Sequence, residues 1–216
     1  LTESSHDYGL DNAANQIEML TNGGTGSTIG GLFTVVDSSG GLNISGSFKA
    51  ADTVTINTVG DLSLLNGTNI TTTDTNVNII LAAQNGSFIN NAGTLAINPY
   101  ADTSFPENNG RFLIYSDNPD NTSLGGIIAA PVYNKSWEID SPSSITAMGN
   151  RILYELAPTL ILTANNNERE EGSANPTLTY SISGLVGDDV ASDVFSGTPL
   201  LSTTANAGSS LGDYLI

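Results

Sequence analysis

The chain of 216 residues contains no cysteine, so disulfide bonds contribute nothing to its stability. It also has few positive charges: Lys and Arg number 5 against 22 Asp and Glu, for a formal net charge of −17. A chain this acidic repels nucleic-acid phosphates and anionic membrane surfaces, which argues against both as partners. No apolar run approaches the ~20 residues of a membrane-spanning helix, so we expect no membrane insertion.

Glycine is abundant, with 23 residues, and charged residues make up only 12% of the chain. Ser, Thr, Asn and Gly, rather than Lys and Glu, separate the aliphatic residues. These residue types favour turns and strand faces. The composition therefore predicts an all-β, turn-rich protein. The chain starts at Leu1 without Met or a signal peptide and stops at Ile216 within a strand-like pattern, which predicts a fragment of a longer protein.

A short apolar–polar–apolar triplet recurs between residues 29 and 98. Its alternation is typical of a strand with one buried face. Copies repeat at roughly 7 to 12 residues, which is too short for helical crossovers, so an antiparallel meander and a solenoid both remain possible. The short, nearly interchangeable strands favour a parallel β-helix, in which stacked repeats bury a continuous core. The triplets are Leu42–Ile44, Val54–Ile56, Leu62–Leu64, Val77–Ile79 and Leu95–Ile97.

The pattern changes twice further along the chain. From Gly110, longer strands and bulky aromatic residues predict a cap or junction that covers the end of the solenoid against edge pairing. From Ala157, four strand-length alternations joined by Gly, Asn and Pro turns predict a small β-sandwich or β-grasp-like module. The predicted domains are the β-helix at 1–98, the cap or junction at 99–157 and the module at 158–216.

Several segments resemble large filamentous-haemagglutinin-like exoproteins at the point where their β-helix ends: Asn90-Asn-Ala-Gly-Thr-Leu-Ala-Ile97, Gly110-Arg-Phe-Leu-Ile-Tyr-Ser116 and Tyr133-Asn-Lys-Ser-Trp137. The stretch from Pro158 through Asn175-Pro-Thr-Leu-Thr-Tyr-Ser-Ile-Ser-Gly-Leu185 is similar to the repeated MBG modules of such proteins. Those modules usually carry a Tyr-Gly pair after their first strand, where this chain has Glu171-Gly172.

The resemblance implies a secreted adhesin of the bacterial cell surface that acts in cell adhesion and biofilm formation rather than in catalysis. It also implies export by two-partner secretion, with an outer-membrane secretion partner. The implied binding partner is a host-cell or matrix glycan or protein receptor, or a biofilm polysaccharide. We therefore expect a structural stalk and module, with no catalytic residues.

Aromatic residues in the predicted junction allow two interpretations. Tyr115, Tyr133 and Trp137, together with Tyr154, either plug the end of the solenoid or form a platform on which sugars stack. The plug is favoured, and a carbohydrate-binding module is the alternative function. Arg111 suits both interpretations, either stacked on a ring or paired with a carboxylate.

Asp188 and Asp189 are the candidate metal ligands, because carboxylates on a loop are hard oxygen ligands that suit calcium. Calcium is the one cofactor that the sequence suggests. A separate charge run of the module, with Glu168, Glu170 and Glu171, is interpreted as a solvated turn rather than a pair of glycosidase carboxylates.

Other motifs are interpreted as structural. Gly208-Ser-Ser-Leu-Gly212 matches a hydrolase nucleophile pattern, but no helix follows it and the single histidine is the distant His6. The loop Gly23–Gly26 lacks the Lys of a phosphate-binding loop. A β-helix enzyme would need basic residues beside carboxylates on one solenoid face, and residues 1–98 contain only Lys49.

Overall fold

The computed structural model describes residues 7–22, 28–74, 76, 78–100, 110–186, 190–191 and 197–216. The chain divides into two compact units, residues 1–157 and residues 158–216. The first is a parallel β-solenoid of about five turns, and the second contains a small antiparallel sheet. The prediction of an all-β chain with a parallel β-helix followed by a small β-module is confirmed.

Short strands joined by turns build the first unit. They are β1 (Tyr8–Leu10), β2 (Met19–Asn22), β3 (Thr28–Ile29), β4 (Phe33–Asp37), β5 (Leu42–Ala50), β6 (Val54–Val59), β7 (Leu62–Leu64), β8 (Asn69–Thr72), β9 (Ile79–Gln84), β10 (Phe88–Asn90), β11 (Ile97–Asn98), β12 (Phe112–Ser116), β13 (Ala130–Tyr133) and β14 (Arg151–Tyr154). Within the described residues, one sheet of seven strands has the order β1-β4-β6-β9-β12-β14-β13. A second has the order β10-β7-β5-β8-β11, with β2 and β3 also paired to β5.

Successive turns of the solenoid stack in register, so each inward side chain lies over a similar one. Phe33 of β4 is opposite Val54 of β6, which is opposite Ile79 of β9. All three side chains are fully buried. Phe33 also stacks on Phe48 of β5 with ring centroids 5.7 Å apart, which joins the two sheets across the interior. The repeated triplets thus supply a continuous core, as repeat architectures require.

A buried carboxylate lies at the end of β4. Asp37 is 1% exposed and accepts hydrogen bonds from the Thr58 hydroxyl at 2.6 Å and from the Ile17 backbone N–H at 2.7 Å. On the next pair of strands, the Gln84 side-chain amide donates to Asn57 Oδ1 at 2.5 Å. Polar groups that enter the stack are therefore paired between turns, which offsets the cost of removing them from water.

Glycines occupy one corner of the solenoid where consecutive turns approach closely. A Cβ on Gly60 would lie 2.8 Å from the backbone nitrogen of Gly41 in the preceding turn. A Cβ on Gly86 would lie 2.2 Å from the carbonyl carbon of Gly60. Only hydrogen fits at these positions, so the glycines set how closely the turns pack at this corner.

The triplet at Leu95–Ile97 differs from the sequence expectation. Leu95 is 74% exposed, while Ala96 and Ile97 are buried and the strand begins only at Ile97. A turn shifts the alternation, because the Ala96 N–H donates to the Gly93 carbonyl oxygen at 3.3 Å. The start of the triplet at Val77 lies outside the described residues.

The seven-stranded sheet continues into the region for which the sequence predicts a cap. β12 pairs with β9, and β14 pairs with β12 on one side and β13 on the other, all in parallel. β13 is the last strand of this sheet within the described residues. It contains Pro131, which has no N–H to offer to another strand, a common protection for a sheet edge.

The second unit has a two-stranded antiparallel sheet, in which β15 (Ile161–Ala164) pairs with β16 (Tyr180–Ser183). No described residue of this unit falls in the buried class. Ile161 and Leu200, for example, are 57% and 96% exposed. The dry core of the protein, as far as it is described, therefore lies in the solenoid.

The glycine corner predicts a large stability difference between two Gly→Ala substitutions. Gly86→Ala forces two turns apart, so we expect it to lower the free energy of unfolding by about 3 kcal/mol. Gly9→Ala is the matched control, because the atoms nearest to its Cβ would belong to the Asp11 side chain, at an ordinary 3.4 Å. Urea denaturation of both variants measures the difference. Equal stabilities would contradict the close packing at this corner.

Candidate functional site

Strand β12 is buried on both of its faces, which explains its uninterrupted apolar sequence. Phe112 and Ile114 point into the solenoid core. Leu113 and Tyr115 point to the outer side of the sheet and belong to a second apolar cluster. That cluster also contains Ile80, Ala82, Ile145 and Leu153, with Trp137 packed against it. The alternation of one-sided strands is lost here, as in sheets that are covered on both faces.

The segment that covers this outer face joins β13 to β14 and is called the outer cover, residues 134–150. Arg111, the residue before β12, holds this segment: its guanidinium donates to the backbone oxygens of Ile145 at 2.8 Å and Ala147 at 2.5 Å. Asn150 Oδ1 accepts from the Phe112 N–H at 3.0 Å. Arg111 therefore binds backbone carbonyls, and neither the ring stacking nor the carboxylate pairing expected from the sequence describes its contacts.

A charged turn fixes the middle of the outer cover. Lys135 Nζ lies 2.6 Å from Asp140 Oδ1, and the Ser136 N–H donates to Asp140 Oδ2 at 3.2 Å. The hydrogen bond from Lys135 is the main cause that lowers the pKa of Asp140 below its ordinary value. Asp140 thus stays ionised at neutral pH and closes the turn that positions its own carbonyl group.

Tyr115 connects the sheet to that turn. Its side chain is 2% exposed, and its hydroxyl donates to the Asp140 backbone oxygen at 2.8 Å. Burial is the largest cause that raises the Tyr115 pKa well above its ordinary value of 10.0. The negative charge of Asp140 raises the pKa further, while Arg111 opposes the shift. The phenol therefore remains a neutral donor across the physiological pH range.

Trp137 lies at the surface of the outer cover, edge-on to Tyr115. The two ring centroids are 5.3 Å apart, with an interplanar angle of 89°. Trp137 is partly exposed and lines a small cleft of about 90 Å³. The cleft is also lined by Gln84, Lys135 and Glu155, which bring polar groups beside the indole.

Tyr133 lies on the other face of the sheet from Tyr115. It stacks on Tyr154 with centroids 5.7 Å apart and an interplanar angle of 16°. Both tyrosines pack against the main solenoid core. The structure therefore brings Tyr115 and Trp137 together but separates Tyr133 from them, so a carbohydrate platform built from all three would span two faces.

The predicted calcium ligands Asp188 and Asp189 lie outside the described residues, so calcium binding there stays a prediction. His6 and the loop Gly23–Gly26 also lie outside the described residues. The Gly208–Gly212 motif begins in a turn, in which the Ser209 N–H donates to the Asn206 oxygen at 2.9 Å. Among the described residues, no three His, Cys, Asp or Glu side chains are grouped as a metal site would require.

A larger groove of about 760 Å³ lies within the second unit. Its walls include Glu168, Glu171 and Asp213, as well as Arg169. The Arg169 guanidinium donates to backbone oxygens of Glu170, Ser173 and Asn206, so it connects two loops of this unit. Gly172 lies in the first of these loops, in the turn from Glu170 to Ser173, with φ +83°, a conformation that glycine adopts without strain.

Comparison with known proteins identifies one part of the chain. Residues 160–216 match the family model of the MBG domain (YGX type). No curated protein and no solved structure matches the chain. In the described part of the chain, no helix has the length and apolar character needed to cross a membrane. A β-solenoid combined with an MBG-type domain fits an adhesin-like repeat protein.

The buried phenol predicts a stability loss at alkaline pH. Because the folded-state pKa of Tyr115 is raised, its contribution is complete below pH 10, where the unfolded chain is also protonated, and declines as the pH rises further. Tyr115→Phe should cost about 1 kcal/mol at pH 7, since the Asp140 oxygen loses its donor. Between pH 9 and about 11, the free energy of unfolding should fall less for Tyr115→Phe than for the wild type, because the variant has no phenol to ionise.

The control for this comparison is Tyr8→Phe, which removes the hydroxyl of an exposed tyrosine. Urea denaturation at both pH values gives the free energy of unfolding of the wild type, Tyr115→Phe and Tyr8→Phe. If Tyr115→Phe and Tyr8→Phe respond identically to pH, the buried Tyr115 hydroxyl does not contribute to alkaline unfolding.

Proposed function

We propose that this chain is a segment of a large secreted bacterial surface adhesin, in which the solenoid is a structural stalk and residues 158–216 are an extracellular module. The observation that carries the proposal is the succession, in one chain, of a parallel β-solenoid and a match to the MBG domain. Its role would be cell adhesion or biofilm formation rather than catalysis.

The chemistry of the first unit supports a structural role. Its interior is filled by side chains that stack between turns, and buried polar side chains such as Asp37 and Asn57 have hydrogen-bond partners on neighbouring turns. The small cleft beside Trp137, at about 90 Å³, is well below the roughly 300–1,000 Å³ of typical ligand pockets. The excess of acidic residues suits a protein that must remain soluble without a partner.

The finer proposal is a filamentous-haemagglutinin-like exoprotein exported by two-partner secretion to the bacterial surface. A chain without cysteine needs no disulfide formation after export. A parallel solenoid also suits passage through an outer-membrane pore, because its turns can form one after another as the chain emerges. The proposed receptor is a host-cell or matrix glycan or protein, or a biofilm polysaccharide.

Surface display tests the adhesive role. Residues 1–216 fused to a heterologous outer-membrane anchor should raise severalfold the number of bacteria retained on host-cell monolayers or in biofilms. The Gly86→Ala variant, displayed at the same surface density, is the control for an intact solenoid and should be retained less. Retention no greater than that given by the anchor alone would reject an adhesive function for this segment.

Carbohydrate binding is the second candidate function, and the position of Trp137 is the observation that favours it. Its partly exposed indole lies beside Gln84, Lys135 and Glu155 at the cleft, and aromatic faces next to polar groups suit sugars. A cleft of about 90 Å³ would accept part of one sugar residue, with the rest of a polysaccharide outside it.

A glycan array with matched Trp137 variants tests this candidate. Trp137→Ala should abolish binding of any glycan that the wild type retains, whereas Trp137→Phe should keep part of it because an aromatic face remains. The Ala variant should stay folded and lose about 1–2 kcal/mol of stability, since the partly exposed indole packs at the margin of the outer cluster, edge-on to Tyr115. Absence of glycan binding by the wild type, or equal binding by all three proteins, would reject the candidate.

A further inference from the structure

We infer that the insertion of β14 between β12 and β13, called strand interleaving, makes the C-terminal end of the solenoid resist unfolding under mechanical tension. The strand that leads into the second unit is β14, and it lies between β12 and β13 rather than at the edge of the sheet. The inference concerns how the fold carries tension, so it goes beyond the proposed function and holds whether or not the chain is adhesive.

The order of strands matters because a solenoid normally opens from its ends. Each terminal turn contacts only one neighbour, so it can separate without disturbing the rest. Within the described residues of the given chain, β1 pairs with β4 along one side only. At the other end, the chain passes from β12 to β13 and then returns to insert β14 between them.

Backbone hydrogen bonds hold β14 along both sides. Toward β12 the ladder extends beyond the strand itself, with the N–H groups of Glu155 and Leu156 donating to Ser116 at 3.0 Å and Asp117 at 2.9 Å. Toward β13, the Lys135 N–H donates to the Tyr154 oxygen at 2.9 Å. The pairing therefore continues almost to residue 157, where the first unit ends.

Side chains hold the same strand through both of its faces. Ile152 and Tyr154 are buried in the solenoid core, where Tyr154 stacks on Tyr133. Leu153 is fully buried on the opposite face, under the outer cover. Extracting β14 would expose both of these apolar contacts as well as breaking two ladders.

Tension that enters at residue 158 consequently meets two ladders and two apolar contacts at once. Tension applied at the N-terminus of residues 1–216 meets one ladder at a time among the described strands, beginning with β1. For residues 1–216 held at their two ends, the expected order of failure under force is that the turns nearest the N-terminus open first and the interleaved strands β12, β14 and β13 open last.

Optical tweezers can read this order from the full chain held by handles at its two ends. A Gly/Ser insertion of about 20 residues between Asn66 and Gly67 serves as a length marker. This turn tolerates it because a Cβ on Gly67 would meet nothing within 4 Å. The expected result is early release of the marker, since it lies in the N-terminal half. Release of the C-terminal segment first, or one rupture without any order, overturns the inference.

Two aromatic pairs at opposite ends of the solenoid provide matched variants. Tyr133→Ala removes the ring stacked on Tyr154. Tyr8→Ala removes a ring of the edge strand β1 whose centroid is 6.1 Å from that of Phe33. Tyr133→Ala should lower the force at which the C-terminal end opens and delay release of the marker. Tyr8→Ala should leave the order unchanged. Equal effects of the two substitutions would contradict the role of interleaving.

A second variant covers the case in which Tyr133→Ala fails to fold, as judged by circular dichroism. Ala130→Pro removes the N–H that donates to the Asn150 oxygen at 3.1 Å and so weakens the ladder between β13 and β14. It should shift the opening order in the same direction as Tyr133→Ala. An order identical to that of the wild type overturns the inference. Because this readout is a force, it is independent of the retention assay for adhesion.

Discussion

The spacing between parallel strands, about 4.8 Å, is the constraint on which the rest of this structure depends. Every side chain in the solenoid must fit above and below a counterpart at that distance. Aliphatic residues meet the requirement by stacking, as Phe33, Val54 and Ile79 do. Gly60 and Gly86 meet it by having no side chain, and Asp37 meets it by finding a hydroxyl and an N–H within hydrogen-bonding distance. The composition, rich in Gly, Asn, Thr and small aliphatic residues, is a direct consequence.

The same spacing creates a problem where the solenoid ends, because the last strand would present an unsatisfied edge. Two features protect this edge, the insertion of β14 and the outer cover, and each depends on the other. β14 inserts beside β12, and the outer cover that leads into β14 buries the exterior of the same strands. Pro131 then lies on the final strand, where its missing N–H discourages further pairing. Tyr115 links the two features, since its ring belongs to the outer cluster and its hydroxyl holds the cover at Asp140.

Local patterns in the sequence were sufficient for the solenoid but not for its end. Alternation in Leu42–Ile44 or Val54–Ile56 is a property of three neighbouring residues, so the strands, their inward faces and the fold class follow from it. Leu95 is exposed although its triplet predicts a buried side chain, because a turn at Gly93 shifts the alternation by one residue. The insertion of β14 depends on pairing between distant strands, which no local pattern encodes. For the same reason, the sequence grouped Tyr133 with Tyr115 and Trp137, although a sheet separates them.

The distribution of positive charge shows how strongly the outer cover depends on specific contacts. Only five Lys and Arg residues occur in the chain, and three of them, Arg111, Lys135 and Arg151, hold this one segment. Arg111 donates to the backbone oxygens of Ile145 and Ala147, Arg151 donates to that of Met148, and Lys135 pairs with Asp140. Lys135 pairs with a carboxylate, but Arg111 and Arg151 bind backbone oxygens of the outer cover in a chain that has 22 acidic residues, so hydrogen bonding to the backbone rather than charge pairing fixes the positions of these two side chains.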